Sequence, residues 1–208
     1  MASASENDRL VWIDCEMTGL DLEHDELVEI AVVVTDFELR ILDPGFQVVI
    51  KPSDSALANM NDFVTNMHET SGLINEIPDG ISLADAEAQT LAYIQQFVPQ
   101  ERKAPLAGNT IGTDRMFLAK YMPQIDQWLH YRNVDVSSVK ELSRRWYPRV
   151  FFQAPAKDGG HRALADILES IRELQYYRQA VFVDEPGPTS DEARALSASV
   201  VSSFSLDV

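Results

Sequence analysis

Leu27 to Phe37 (LVEIAVVVTDF) is nearly continuous in apolar and β-branched residues. A run of this kind reads as a central strand buried on both faces, so the chain must build a sheet with material packed on either side. Two further strands flank it in sequence. Leu10 to Ile13 precedes it, and Phe46 to Lys51 (FQVVIK) follows and is stopped by Pro52. The short connections between the three predict an antiparallel meander. Helical patterns come next, at Asp54 to Met60, Asp62 to Ile74, and Ser82 to Phe97, the last with Ser82 and Asp85 at capping-box spacing. Two more strands, Ala104 to Ala107 and Asn133 to Val136, alternate with helices at Arg115 to Tyr121, Pro123 to Leu129 and Val139 to Trp146. After a loop from Phe151 to Gly160, a long helix is predicted over His161 to Val181, with Leu164, Ile167, Leu168, Ile171 and Leu174 at helical spacing. The expectation is an α/β domain built on a mixed five-stranded sheet flanked by helices.

With 208 residues the chain suits one domain, expected over 1–183, followed by a tail. That tail, 184–208, is rich in Pro, Ser, Ala and acids and is expected to be disordered. Cys15 is the sole cysteine, which excludes an intramolecular disulfide. No apolar run approaches the length of a membrane span, and MASASENDR does not read as a signal peptide, so a cytoplasmic location is expected. The net charge of −16 opposes a long nucleic-acid ligand, because neutralising phosphates drives such binding. Residues 131–180 nevertheless carry nine basic against six acidic side chains. A short anionic ligand fits that local excess better than a polymer tracked over many phosphates.

The first strand runs into Asp14 and Glu16 (WIDCEMTGL). Positions i and i+2 on a strand share a face, about 7 Å apart along the backbone. Paired carboxylates there repel unless solvated, protonated or neutralised, and hard oxygen donors favour Mg²⁺ or Mn²⁺. Two more groups lie at element ends: Asp114 opens a helix after a glycine-punctuated turn, and His161 with Asp166 opens the last helix. Asp114 alone also suits an N-cap, and His161 alone a surface residue. Together they form D-x-E, D and H-x₄-D, four carboxylates able to converge on two cations, with a histidine able to take a proton from water.

This order and context resemble the DEDDh exonucleases, and within them the oligoribonuclease branch. The resemblance is carried by WIDCEMTGLD (Trp12 to Asp21), MHETSGL (Met67 to Leu73), GNTIGTDRMFL (Gly108 to Leu118), YRNVDVSSVKEL (Tyr131 to Leu142) and HRALADILESI (His161 to Ile171). It implies a ribonuclease-H-like fold and a 3′→5′ exoribonuclease that degrades very short RNA, ending with dinucleotides, to 5′-mononucleotides. It also implies two divalent cations, Mg²⁺ or Mn²⁺, held by Asp14, Glu16, Asp114 and Asp166, with His161 as general base. By the same resemblance Leu20 is an apolar wedge between bases and Phe63 an aromatic face for stacking, while His68, Thr110, Arg132 and Ser137 enclose a terminal 5′ phosphate. A homodimer is implied, with Tyr131 reaching toward the partner's active site. Three positions depart from the pattern: Phe63 replaces a tryptophan, Thr110 a serine, and Ala165 a second aspartate before Asp166.

Three other readings compete. The chain could be a proofreading or RNA-trimming exonuclease of the same superfamily, which MHETSGL and YRNVDVSS disfavour. It could be an inactive nucleic-acid-binding module, which retention of all five acid and base residues opposes, since an unused cluster of carboxylates costs stability. A metal-dependent phosphatase is the third.

Overall fold

The computed structural model describes residues 8–156 and 160–204. Residues 1–7, residues 157–159 of the expected loop, and the tail's last four residues lie outside the described residues. Five strands form one sheet: β1 (Arg9–Met17), β2 (Leu27–Asp36), β3 (Phe46–Val49), β4 (Pro105–Gly108) and β5 (His130–Asp135), in the order β3-β2-β1-β4-β5. β1, β2 and β3 pair antiparallel, as the meander requires, whereas β4 joins β1 and β5 joins β4 in parallel. The expected mixed sheet is therefore what the chain adopts. Its helices are α1 (Asp54–Asn59), α2 (Asp62–Ser71), α3 (Leu83–Phe97), α4 (Gly112–Tyr121), α5 (Pro123–Trp128), α6 (Val136–Trp146), α7 (Pro148–Phe151), α8 (Ala163–Ala180) and α9 (Ser190–Ser203).

Strand alternation decides which side chains meet which helix layer. On β1, Val11, Ile13, Cys15 and Met17 face one core with Ile94, Phe117, Leu118 and Ile125 from α3, α4 and α5. Leu10 and Trp12 face the other, against Ala163, Ile167, Ile171, Leu174 and Tyr177 of α8. Asp14 and Glu16 share the parity of Leu10 and Trp12, so they emerge on the α8 side. β2 is buried throughout, with Ile30, Val32 and Val34 turned to the first core and Ala31 and Val33 to the second. Glu29 follows the odd positions onto the α8 side, directly opposite Glu16 in the pairing.

Several boundaries differ from expectation, each for a local reason. The last long helix begins at Ala163 because His161 lies at φ 47° and Arg162 is extended, conformations that a helix cannot include. α2 stops at Ser71, where Gly72 adopts the left-handed C-cap conformation. Part of the stretch expected as a loop belongs to α7, whose proline sits at the helix start. The tail was expected to lack regular structure, yet residues 190–203 form α9. A reciprocal capping box nucleates it, with Thr189 and Glu192 satisfying each other's backbone N–H, and an Ala- and Ser-rich run follows. None of its residues is buried. No helix among the described residues is long and apolar enough to cross a membrane.

Candidate active site

The parallel strands β1, β4 and β5 end on the same edge of the sheet, so the segments that follow them are gathered there. Asp14 and Glu16 stand at the end of β1, Asn109 and Thr110 follow β4, and Asp135 to Ser137 follow β5. α8 crosses beneath, tied to the β4 end by Asn109, whose Nδ2 donates to Ser170 Oγ and to Glu173 Oε2, each at 3.0 Å. This docking carries Asp166, in the first turn of α8, to the acids of β1. Ligand oxygens of Asp14, Glu16 and Asp166 lie within 4.8 Å of one another.

Asp114, in the first turn of α4, completes the acidic group from behind. Its Oδ1 accepts the backbone N–H of Cys15 at 3.0 Å, which fixes its carboxylate against the strand between Asp14 and Glu16. Glu16 and Asp114 are buried and Asp14 and Asp166 half-buried, and the electrostatics follow. Burial, reinforced by Asp114, Glu16, Asp166 and Glu29, holds the Asp14 carboxyl well above the usual range. Burial with the Asp166 and Glu29 charges pushes Glu16 up to about 8, and Arg162 opposes them. Burial also lifts Asp114 to about 6, against the bond from Cys15. Carboxylates this crowded and this protonation-prone are relieved by a cation, and a donor set of oxygens without thiol or imidazole selects a hard one.

His161 is exposed and stands outside the converging acids, two residues before α8. Its φ of 47° is a left-handed conformation uncommon outside glycine, imposed where the chain turns into the helix. The next residue explains how that turn is held. Arg162 Nε and Nη2 donate to the fully buried Glu29 at 3.1 and 2.8 Å, and its Nη1 and Nη2 donate to Glu76 at 2.7 and 3.0 Å. Glu29 Oε2 also accepts the Ala163 N–H at 2.9 Å, so a β2 carboxylate caps α8 in place of a local side chain.

The residues assigned to substrate by resemblance divide into two groups. Thr110 and Ser137 meet on one atom: Asp135 Oδ1 accepts the Thr110 N–H (3.0 Å), the Ser137 N–H (2.9 Å) and the Ser137 hydroxyl (2.7 Å). This anchor also stabilises Thr110 at φ 57°, a costly conformation for a β-branched residue. Arg132 is exposed on β5, its Nε donating to the Tyr131 hydroxyl at 3.2 Å. Leu20, Phe63 and Tyr131 present free apolar surface, 75, 75 and 74 % exposed.

His68 departs from its assignment. It lies on the inner face of α2, one turn from buried Val64, and is fully buried. Its Nε2 donates to the Met17 carbonyl at 2.9 Å, and Nδ1 has no partner among the described residues. The ring therefore pins α2, with Phe63 on its outer face, to the end of β1, and it is not on the surface with Arg132.

Four positioning residues escaped the sequence reading. Asp135 was legible as D-x-S at a helix start, and Glu29 as a lone charge in an apolar run. Arg162 and Asp25 carried no such signal. Asp25 accepts the Thr18 hydroxyl at 2.9 Å and the Asp21 N–H at 2.8 Å, closing the turn that projects Leu20. Gly19 is required there, since a Cβ would stand 2.3 Å from Asp25 Oδ2.

Comparison with known proteins agrees with this geometry. The family described as Exonuclease matches residues 11–174. An oligoribonuclease of Leifsonia xyli subsp. xyli is 71% identical over 198 residues, covering 95% of this chain and 96% of that protein. One from Streptomyces avermitilis is 59% identical over 192 residues, covering 92% of this chain and 96% of its own length. Among solved structures, exonuclease I of Methylocaldum szegediense superposes with a TM-score of 0.61 at 19% identity over 83% of this chain. E. coli exonuclease I in a complex with single-stranded DNA superposes with a TM-score of 0.64 at 16% identity over 84%. Each of these larger enzymes is matched over 41% of its own length, and the likeness is one of fold. Matched along nearly its whole length by oligoribonucleases, and by the exonuclease family across the segment that holds Asp14, Glu16, Asp114 and Asp166, this chain belongs to the oligoribonuclease branch of the exonucleases.

Proposed function

We propose that this chain is a 3′→5′ exoribonuclease that degrades very short RNA, dinucleotides above all, to 5′-mononucleotides. The observation that carries the reading is the convergence of Asp14, Glu16 and Asp166 oxygens within 4.8 Å, at the strand ends of a chain whose relatives are oligoribonucleases. Two divalent cations, Mg²⁺ or Mn²⁺, held by Asp14, Glu16, Asp166 and Asp114, would supply Lewis acidity at the scissile phosphate. His161 takes the proton from the attacking water on a ring nitrogen. Leu20 and Phe63 flank the two bases, and Thr110, Ser137 and Arg132 hold the terminal 5′ phosphate. His68 acts from behind, by fixing α2. A homodimer belongs to the proposal, with exposed Tyr131 of each copy turned to its partner's site. So does a cytoplasmic enzyme whose catalytic domain spans 1–183, with the tail 184–208 outside it.

The assay compares 5′-labelled RNAs of two, five and twenty nucleotides. Arg132→Ala should weaken dinucleotide cleavage by about 10- to 150-fold, because a charge-assisted bond to phosphate contributes roughly 1.5–3 kcal/mol. Cleavage of the twenty-nucleotide RNA should change far less, since its 5′ end never reaches the pocket. Removing the 5′ phosphate from the dinucleotide should mimic the substitution without adding to it. Equal losses at both lengths would remove the assignment of Arg132 to the 5′ phosphate.

Metal-free protein should show the cost of the clustered acids directly. Raised folded pKa values mean that the folded chain holds protons the unfolded chain has released. Stability is then greatest below the ordinary carboxylate range and falls as pH rises, through about 6 for Asp114 and about 8 for Glu16. Saturating Mn²⁺ should therefore raise the Tm more at pH 8 than at pH 6. A metal-induced shift that is equal at both pH values would separate cation binding from these acids.

A further inference from the structure

We propose that Arg162 is a positioning residue for the active site, acting through its clamp on Glu29 and Glu76 to set the place of both His161 and Asp166. The inference rests on the reading of those two residues given above and adds a group that contacts neither substrate nor cation. Three observations carry it. Arg162 is the link between His161 and α8, so whatever holds its backbone sets the exit of the base and the entry of the helix bearing Asp166. Its guanidinium is engaged on both sides, by Glu29 from the sheet and by Glu76 from the turn that follows α2. Glu29 in turn accepts the first N–H of α8, so one buried carboxylate fixes the arginine and the helix start together. The clamp thereby joins β2, the end of the α2 segment and α8 at the point where the acids converge.

With Glu29 buried, loss of its cationic partner would leave an uncompensated charge. Glu29 is fully buried directly across the strand pair from Glu16, adding a carboxylate to the side of the sheet where Asp14, Glu16 and Asp166 already crowd. Arg162 neutralises it through the hydrogen bonds from its Nε and Nη2. The planar fork matters because it serves two carboxylates in different directions, which an ammonium held by one of them cannot do.

The test uses the full chain with Arg162→Met and Arg162→Lys, with Asp14→Ala assayed alongside. Readouts are kcat and KM on a 5′-phosphorylated dinucleotide, thermal melting, and Mn²⁺ binding to the substrate-free protein by calorimetry. Arg162→Met should lower kcat and weaken Mn²⁺ binding by about 10- to 100-fold each, the usual consequence of losing a group that orients ligands, while KM changes less than about threefold. Arg162→Lys should fall between Arg162→Met and the parent in both. Losses confined to melting temperature and active fraction, with kcat per folded site and Mn²⁺ affinity at parental values, would overturn the proposal. Should Arg162→Met fail to melt cooperatively, Arg162→Lys decides, and parental kcat and Mn²⁺ affinity in that variant overturn the proposal. An active Asp14→Ala overturns the reading of the site and this inference with it, whereas an inactive Asp14→Ala beside a fully active Arg162→Met removes the clamp alone.

Discussion

Asp14→Ala should lose hydrolysis by about a thousandfold or more, the equivalent of roughly 4 kcal/mol of transition-state stabilisation. The expectation follows from where Asp14 sits. Its carboxylate shares the closest group of oxygens with Glu16 and Asp166, and Asp114 is bonded to the backbone N–H of the next residue, so Asp14 stands at the centre of the acids. The fold should survive, because the side chain makes no hydrogen bond that supports β1 among the described residues. Metal-free stability should even rise above neutral pH, since one of several buried like charges has gone. A gain of about 1 kcal/mol would appear as a Tm roughly 2–4 °C higher for a chain of this size. Hydrolysis near the parental rate by purified, cooperatively melting Asp14→Ala would end the assignment of this cluster to catalysis.

His161→Ala should lower turnover by about 10²- to 10⁴-fold, the range for loss of a general base. At saturating cation the parent's rate should rise with pH as the base gives up its proton, and the variant's profile should lack that limb. Mn²⁺ binding should be spared, because the imidazole stands outside the converging acids. The backbone dictates the control. At φ 47° an alanine is strained and an asparagine much less so, which makes His161→Asn the cleaner removal of the base. Equal loss in both variants with a flattened limb assigns the effect to the imidazole. An unchanged limb in His161→Asn would mean that water loses its proton without this residue.

The order of elements was legible because it rests on local periodicities. Leu27 to Phe37 announces a strand covered on both faces, and alternation on β1 already sets Asp14 and Glu16 on one side of the sheet. Asp14, Glu16 and Asp166, which the fold brings together, were singled out by their positions at element ends and by the likeness of five blocks to known exonucleases. Element ends were read less well. The start of α8 is decided by a left-handed His161 and by capping from Glu29, 134 residues away in sequence, and no local pattern encodes either. α9 is the opposite case, a local capping box overlooked within an unpromising composition.

What the sequence by itself determined is therefore the chemistry available and the face on which β1 presents it. Residue types and a period of two are properties of neighbouring positions, and they need no knowledge of the rest of the chain. Which distant groups complete the site was decided by the tertiary structure alone. Packing of α8 on the Leu10 and Trp12 side brings Asp166 to β1, and burial together with the neighbouring charges then raises the Glu16 carboxyl pKa. Packing of α2 against the end of β1 turned His68 inward, because a histidine one helical turn from Val64 faces the core whichever ligand its motif suggests. Asp135, Asp25 and Arg162 acquired their roles in that way too: each acts on residues brought near by chain reversal, where desolvation makes a hydrogen-bonded charge a precise anchor.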